Sequence, residues 1–145
     1  MKISYAITVC NEFLEIQRLV NFLVANKRRQ DEIVIQFDSK NGDPEIESYL
    51  RSHSINGEFN WHFYEFQGDF SHMKNRLTDM CKGDYIYQID ADEMPSTYVL
   101  DMLPEVLQHN SVDVLKVPRI NTVEGITPEH IETWKWGVNE HGWIN

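Results

Sequence analysis

The sequence predicts an α/β fold, in which a mainly parallel β-sheet carries helices on both faces. Apolar, β-branched segments alternate four times with segments whose apolar residues recur at helical spacing, and this order is typical of parallel sheets. In addition, the mostly apolar segment 85–89 runs directly into three carboxylates, Asp90, Asp92 and Glu93. Such a segment is expected for a buried strand that ends at the edge of an open sheet, where ligands of α/β proteins bind.

Length and composition favour a single folded domain. The chain has 145 residues, of which 41% are hydrophobic and 25% charged, and this is enough for a sizeable core. The formal net charge of -10 argues against nonspecific binding to nucleic acids or to anionic membranes. No apolar run has the length of a membrane span, and the first residues lack the layout of a signal peptide. Cys10 and Cys81 lack metal-type spacing, so we expect a reduced, cytoplasmic protein.

The first strands and helices are predicted from their periodicity. Residues 3–9 are apolar and β-branched and predict a strand, and residues 32–37 predict the next one. Between them, apolar residues at helical spacing predict an amphipathic helix over residues 13–26. Asp43 followed by Pro44 is typical of a helix N-terminus, so a short helix is expected after the second strand.

The central part of the chain continues the alternation. Residues 61–66 predict a third strand, and residues 85–89 predict the fourth. The helix between them begins near Gly68, carries Met73 on its apolar side and ends before Gly83, because glycine commonly follows the last turn of a helix.

Beyond the fourth strand the pattern weakens. A helix capped by Ser96 is expected, and Pro104 within it predicts a kink or two short helices. Residues 112–117 predict a further strand. From Pro118 onward the periodicity fades, so no element is predicted for the tail.

The ends of the first, second and fourth predicted strands would gather along one edge of a parallel sheet. These ends are Cys10-Asn11-Glu12, Asp38 and Asp90-Ala91-Asp92. A ligand pocket at this edge is the simplest interpretation. The sequence has no G-x-G-x-x-G after the first strand and no G-x-x-x-x-G-K-[ST], which counts against a dinucleotide-binding domain and a P-loop nucleotidase.

Asp90 and Asp92 lie two residues apart, so on an extended segment their side chains would share one face. Two such carboxylates repel each other unless a cation or hydrogen-bond donors compensate them. A hard divalent ion that also binds phosphate oxygens is the simplest compensation. The alternative is a solvated acidic turn that caps the next helix, since a bare D-x-D occurs by chance in many chains.

Four segments, in order, resemble motifs of the family 2 glycosyltransferases with the GT-A fold. Residues 7–12, I-T-V-C-N-E, resemble the first-strand motif I-P-T-Y-N-E, and residues 32–39 resemble the second strand with its acidic end. Residues 69–76 resemble the F-S-x-A-R-N segment, with Lys74 in the place of the arginine. Residues 82–93 resemble the G-D-W-I-L-x-L-D-A-D-E block.

The resemblance implies a nucleotide-sugar-binding α/β domain over residues 1–120 and a C-terminal tail, residues 121–145, that completes or covers the site. Thr8 stands where the family commonly has proline, and Cys10 where it has an aromatic residue. These departures affect the wall around the nucleotide base. Because the tail is short, the chain is expected to be a piece of a longer protein, a very small enzyme or a donor-binding remnant.

The resemblance also implies roles for residues at the predicted edge. Asp38 would accept a hydrogen bond from the imide N–H of uracil, and Lys74 would supply a point charge near the base or the diphosphate. Asp90 would face the ribose or the metal, and Asp92 would bind the metal, Mn²⁺ or Mg²⁺, which bridges the diphosphate. The nucleotide-binding residues implied in this way are Thr8, Val9, Cys10, Glu12, Asp38, Lys74, Asp90 and Ala91.

Three of these residues also have an ordinary structural interpretation. Asp38 could serve as a turn residue, and Lys74 could lie on a solvated helix surface. Glu12 fits the N-terminus of a helix, where a carboxylate interacts favourably with the helix dipole.

The acceptor side of the predicted reaction depends on the tail. Inverting members of the family use a carboxylate base to deprotonate the acceptor hydroxyl. Glu140 and His141 are the late candidates for that base or for a further metal ligand, and an exposed tail pair is the alternative. Trp134, Trp136 and Trp143 could stack on a sugar ring, belong to the core, or pack on a partner subunit in a homo-oligomer.

The expected function is metal-dependent transfer of a sugar from a nucleoside-diphosphate sugar, a UDP-sugar above all, to a hydroxyl of a carbohydrate or other acceptor, with inversion. The alternative is a module that holds the nucleotide sugar without a competent acceptor site. A nucleotidyltransferase, whose fold is related, is a third alternative. It would normally show a Gly-rich basic loop after the first strand, and Cys10-Asn11-Glu12-Phe13 shows none.

Overall fold

The computed structural model describes residues 1–142 and 144. The chain forms two compact units, unit 1 (Met1–Ser111) and unit 2 (Val112–Asn145). The sequence-based division into a nucleotide-sugar-binding domain, residues 1–120, and a tail that completes or covers the site, residues 121–145, stays a prediction.

Unit 1 contains the alternating strands and helices that the sequence predicts. In chain order they are β1 (Ile3–Val9), α1 (Phe13–Asn26), β2 (Glu32–Asp38), α2 (Pro44–His53), β3 (Asn60–Tyr64), α3 (Phe70–Met80), β4 (Tyr85–Asp90) and α4 (Thr97–His109), with a short 3-10 turn, Ser54–Asn56, after α2. Asp43, Asp69 and Ser96 each cap a helix by accepting hydrogen bonds from backbone N–H groups of its first turn.

The strands of unit 1, all of whose residues are described, form one parallel sheet in the order β3-β2-β1-β4. Thr8 of β1 pairs with Gln36 of β2 on one side and with Asp90 of β4 on the other. Residues 33–38 of β2 are all buried, so both faces of the sheet are covered at this central strand, as an α/β fold requires. The predicted fold class is therefore confirmed.

One face of the sheet is packed by α3. Leu77 is fully buried in a cluster with Ala6 and Val34, and a buried aliphatic side chain of this size stabilises a fold by about 1.5–3 kcal/mol. Met73 and Lys74 precede Leu77 by four and three residues, so they lie on the same side of the helix. The packing of Leu77 therefore directs this side of α3 toward the strand ends.

Two details after β4 differ from the sequence-based expectation. The strand expected over residues 112–117 is absent, because this described segment is irregular and Val114 is 77% exposed. β-branched residues favour a strand only where a neighbouring strand supplies hydrogen bonds and packing. In addition, α4 continues through Pro104 as one helix rather than two, and a kink at Pro104 stays a prediction. Buried leucines on both sides of Pro104 hold this helix against the lost backbone hydrogen bond.

Unit 2 contains α5 (Pro128–Trp134) and an isolated antiparallel bridge between Val138 and Ile144. Thr127 and His130 form a capping box at the start of α5. Trp143, for which stacking or packing is predicted, lies outside the described residues. In the part of the chain that the structure describes, no helix combines the length and apolarity needed to cross a bilayer.

Candidate functional site

A cavity of about 460 Å³ lies in unit 1 at the carboxyl edge of the sheet, where β1, β2 and β4 end. All residues that the sequence predicts for the donor side line this cavity: Thr8, Val9, Cys10, Glu12, Asp38, Lys74, Asp90, Ala91 and Asp92. The structure brings them together because parallel strands place their carboxyl ends at one edge. The binding roles of these residues stay predictions.

A polar row crosses the sheet next to this cavity. His62, Gln36, Thr8 and Asp90 are register neighbours on β3, β2, β1 and β4, and register neighbours on parallel strands point to the same face. Gln36 is only 2% exposed, and its Nε2 donates a hydrogen bond to the carbonyl oxygen of Met73 at 2.9 Å. This bond ties α3 to the sheet beside the cavity.

The His62 end of the row is kept uncharged. Nε2 of His62 and Oε1 of Gln36 are buried without a hydrogen-bond partner among the described residues. Burial, and after it the nearby charge of Arg76, lowers the pKa of His62. The charged groups of the row therefore lie at its other end, around Asp90.

Lys74 connects α3 to that charged end. Its Nζ donates to Oδ1 of Asp90 at 2.6 Å and to Oγ1 of Thr8 at 3.0 Å, and the Thr8 hydroxyl donates to the same Asp90 oxygen at 3.0 Å. The side chains of Lys74 and Asp90 are 27% and 52% exposed. An ion pair this open to solvent contributes little to stability, and its ammonium is accessible to an anion that enters the cavity.

Asp38 at the end of β2 is held by several donors. Oδ1 accepts from the backbone N–H groups of Lys40 at 3.0 Å and Phe66 at 3.3 Å, and Oδ2 accepts from Nδ2 of Asn41 at 2.9 Å. Burial alone would raise the pKa of Asp38, but these hydrogen bonds outweigh it, and the pKa lies below the ordinary value of 3.8. Asp38 is therefore both an ordered turn residue and an ionised acceptor in the cavity wall.

Glu12 orders the turn between β1 and α1. Its Oε2 accepts hydrogen bonds from the backbone N–H groups of Cys10 at 2.8 Å and Asn11 at 3.0 Å. Glu12 stands at the N-cap position of α1, but its side chain makes no capping bond to the helix. Burial, and after it the carboxylates of Asp38 and Glu12, raises the pKa of the Cys10 thiol. Cys10 is thus a protonated, neutral part of the wall.

The acidic turn after β4 has a defined shape. The backbone N–H of Ala91 donates to the carbonyl oxygen of Thr8 at 3.2 Å, and the carboxylate of Glu93 accepts from the backbone N–H of Asp90 at 3.0 Å. Glu93 therefore closes the turn, a role that the sequence analysis did not assign. Asp92 is exposed and has no hydrogen bond or ion pair to another described residue.

The donor groups of this turn fit a divalent ion only in part. No group of three or more His, Cys, Asp or Glu side chains within the described residues could hold a metal by itself. Asp92 offers an unpaired carboxylate, whereas Asp90 is already paired with Lys74. Mg²⁺ and similar ions are commonly held by one or two carboxylates together with phosphate oxygens of a substrate. The turn therefore fits an ion that binds with a diphosphate, and not one held by the protein alone.

An aromatic wall, which was not predicted from the sequence, completes the cavity. The further lining residues are Gln36, Asn41, Tyr64, Phe66, Phe70 and Met73. The ring centroids of Phe66 and Phe70 lie 4.8 Å apart. Phe70 is the first residue of α3, and its aromatic side chain is 68% exposed. An aromatic residue at a helix start that cannot reach the core is the signal that could have revealed this wall.

Glu140 and His141, predicted as candidate base or metal ligand, belong to unit 2. Their side chains are 87% and 63% exposed, and Nε2 of His141 lies 3.6 Å from Oε1 of Glu140. These values describe an exposed pair, and a catalytic role for either residue stays a prediction.

Comparison with known proteins gives one match to a family. The sequence profile described as Glycosyl transferase family 2 matches residues 4–142. A search of curated protein sequences gives no match.

Similar structures are found for TarS of S. aureus. The crystal structure of TarS 1-349 gives a TM-score of 0.60 at 16% identity, covering 82% of this chain and 39% of that chain. The complex of TarS 1-349 with UDP-GlcNAc gives a TM-score of 0.60 at 17% identity and covers 82% of this chain and 37% of that chain. The complex with UDP gives a TM-score of 0.59 at 16% identity and covers 82% of this chain and 38% of that chain. This chain thus spans about 39% of the length of TarS 1-349. The likeness confirms the predicted GT-A-like fold.

Proposed function

Because the chain belongs to glycosyl transferase family 2, we propose that it binds a UDP-sugar and a divalent metal ion and transfers the sugar, with inversion, to an acceptor hydroxyl. The observation that carries this proposal is the cavity at the carboxyl edge of the sheet, in which Asp38, Lys74 and the acidic turn Asp90-Ala91-Asp92 line one space. That combination offers an acceptor for a base, a cation for a diphosphate and a carboxylate for a metal.

The base would bind at the β2 side of the cavity. Asp38 is ionised there and can accept the imide N–H of uracil. The rings of Phe66 and Phe70, inclined at 51° to each other, offer apolar faces beside it, and stacking of a base on an aromatic ring is worth about 1–3 kcal/mol. These phenylalanines would take the part that an aromatic residue at the Cys10 position has in the family motif.

The diphosphate would bind at the β1–β4 side. Lys74 holds its ammonium 2.6 Å from Asp90, so it balances one carboxylate of the acidic turn and leaves Asp92 as the free anionic group. Asp92 would hold Mn²⁺ or Mg²⁺, which, when bound, neutralises charge on the departing nucleoside diphosphate. Asp90, fixed by Lys74 and Thr8, would face the ribose or the metal.

UDP is the first nucleotide to test. TarS has been crystallised with UDP-GlcNAc and with UDP, and the predicted role of Asp38 also favours uracil. The second candidate function is a module that binds the nucleotide sugar without transferring it. The exposed position of Glu140 and His141 favours this alternative.

Calorimetry of the chain with UDP and UDP-GlcNAc, first in Mn²⁺ and then in EDTA, tests the proposal. We expect binding in Mn²⁺ and a loss of affinity of about tenfold or more, equivalent to roughly 1.4 kcal/mol, in EDTA or in the Asp92→Asn variant. Asp101→Asn changes an exposed carboxylate on α4 in the same way and should bind like the unmodified chain. Equal affinity in EDTA would exclude the metal, and no binding of either nucleotide would exclude the donor site.

A further inference from the structure

Unit 2 has a cavity of its own, of about 430 Å³, that the proposed donor site does not include. We call it the aromatic cleft, and its lining includes Glu124, Ile126, His130, Trp134 and Trp136. Its volume lies within the range of roughly 300–1,000 Å³ that is typical of small-molecule sites.

The rings of the aromatic cleft are held in a defined arrangement. The His130 imidazole lies parallel to the Trp134 indole, with centroids 4.8 Å apart and an interplanar angle of 8°. Lys135 ends α5 in a left-handed conformation with φ 54°, and the backbone N–H of Trp136 donates to the carbonyl oxygen of Ile131 at 3.1 Å. This turn brings the Trp136 ring within 4.8 Å of Trp134. The two indoles are nevertheless 52% and 37% exposed.

The cleft also offers polar groups beside its rings. Nδ1 of His130 accepts from the backbone N–H of Thr127 at 3.1 Å, so in the neutral ring the proton resides on Nε2, which is a donor. Neither this group, nor the indole N–H groups of Trp134 and Trp136, nor the carboxylate of Glu124 is hydrogen-bonded to another described residue. Flat apolar rings, three donors and an anionic acceptor therefore occur together.

We propose that the aromatic cleft binds a hexopyranose ring of the acceptor carbohydrate. A pyranose has an apolar C–H face, which suits the indole rings, and hydroxyls at its rim, which both donate and accept. A purely apolar partner would leave Glu124 and the N–H donors desolvated and unpaired, which is unfavourable. A polyanionic partner is disfavoured by the net charge of -10. The assignment of this sugar as the acceptor rests on the proposed glycosyl transfer.

Nitrogen-15 NMR of the tryptophan indole N–H groups of the chain tests the cleft directly. The resonances are assigned with Trp134→Phe, Trp136→Phe and Trp61→Phe, where Trp61 lies in unit 1 beneath Arg51 and serves as the internal control. The probes are methyl hexopyranosides, cellotriose and chitotriose, each raised to roughly 100 mM so that a Kd of about 10 mM is detected.

We expect the Trp134 and Trp136 resonances to shift with saturation for at least one saccharide while Trp61 stays in place. Trp134→Ala and Glu124→Gln should each weaken that binding about tenfold. Glu124 is exposed, and its substitution leaves the aromatic rings intact. No shift with any probe would overturn the proposal, as would equal shifts of Trp61. Unchanged binding in both variants would also overturn it, and concentration-dependent shifts without saccharide would assign the cleft to a protein contact instead.

Titration with UDP in the same samples separates this proposal from the proposed function. Saccharide binding without UDP binding would leave the cleft as a carbohydrate site and remove the transferase assignment. UDP binding without saccharide binding would support the donor site and overturn the cleft.

Discussion

Nζ of Lys74 lies 2.6 Å from Oδ1 of Asp90 and 3.0 Å from Oγ1 of Thr8, so one cation of α3 is joined to the ends of β1 and β4. The family motif has arginine at this position, whose planar fork would pair with Asp90 through two parallel hydrogen bonds. Lysine makes one contact with the carboxylate and keeps donor capacity for a further anion. The pair therefore links the helix, the acidic turn and the proposed diphosphate site.

Lys74→Met should weaken UDP binding with little effect on the fold. The Lys74–Asp90 pair is partly exposed, so we expect the free energy of unfolding to change by at most about 1 kcal/mol. Losing a charged hydrogen-bond donor to the diphosphate should lower UDP affinity about tenfold or more. Calorimetry and urea unfolding measure the two effects. Lys82→Met, which removes an exposed lysine at the opposite end of β4, is the charge-matched control, and an equal loss in it would contradict a specific role for Lys74.

The position of Asp38 predicts a preference for uracil. UDP carries an imide N–H where CDP carries an acceptor, so only UDP can donate to the ionised Asp38 carboxylate. One buried hydrogen bond to a charged group is worth about 1.5–3 kcal/mol, which corresponds to roughly tenfold or more in affinity. Competition between UDP and CDP in Mn²⁺ measures this ratio. Equal affinities would leave Asp38 with its turn role alone.

The proposed base-stacking surface is tested at Phe70. Its ring is 68% exposed, so Phe70→Ala should alter stability little, whereas UDP affinity should fall by about 1–3 kcal/mol if the base stacks on it. Tyr98→Ala removes another exposed aromatic ring, 72% exposed near the start of α4, and should leave UDP binding unchanged. The Phe70 assignment does not survive if both variants bind UDP like the unmodified chain.

Most of the sheet and the charged part of the cavity could be predicted because they follow from local sequence patterns. Alternating apolar segments identify β1 to β4, and parallel order then places their polar carboxyl ends side by side. Asp38 and Asp90 needed no tertiary information beyond this rule. The contact of Lys74 with Asp90 did need tertiary information, because the place of Lys74 was inferred from the family resemblance and not from spacing.

The rest depends on three-dimensional contacts that no short pattern encodes. Phe66, in the loop after β3, and Phe70, at the start of α3, bring their rings within 4.8 Å of each other, but only the folded chain places both rings in the cavity wall with Asp38. Gln36 looks like an interruption of an apolar strand until its bond to the backbone of Met73 is known. Residues 112–117 have the composition of a strand, but composition does not supply a neighbouring strand.

Glu32, at the opposite end of the sheet, should make the free energy of unfolding depend on pH in the acid range. Glu32 accepts from Nζ of Lys2 at 2.6 Å and from Oγ of Ser4 at 2.6 Å, and also from the backbone N–H of Lys82. Burial alone would raise the pKa of Glu32, but these bonds outweigh it and lower the pKa below the ordinary value of 4.5. The unfolded chain therefore binds this proton more readily, so the stabilisation is complete above pH 4.5 and is lost as pH falls through the folded-state pKa.

Glu32→Gln should accordingly flatten the acid limb of the stability curve. Urea unfolding from about pH 3 to about pH 7 should show a loss of roughly 1–3 kcal/mol at neutral pH, and a smaller difference at the acid end, because the uncharged amide cannot titrate. Glu105→Gln, at an exposed position of α4, is the control and should follow the unmodified chain. A Glu32→Gln curve parallel to that of the unmodified chain would contradict the assignment.

A catalytic base for the acceptor distinguishes an enzyme from a binding module. An acceptor hydroxyl must lose its proton as the new glycosidic bond forms, and a positioned base contributes about 10²–10⁴-fold to the rate. Of the two predicted candidates, Glu140 has the more exposed side chain, and it lies 3.6 Å from His141.

We expect Glu140→Gln to lower transfer from UDP-GlcNAc to a saccharide acceptor by about 10²-fold or more, with UDP affinity unchanged. Slow hydrolysis of the donor should persist, because water can attack without a well-placed base. Product and released UDP, measured with and without acceptor, distinguish the two reactions. Glu132→Gln, at an exposed position of α5, should retain full transfer. Undiminished transfer in Glu140→Gln would remove Glu140 as the base. If the unmodified chain itself shows no turnover above hydrolysis with any acceptor, the binding-module function is supported instead.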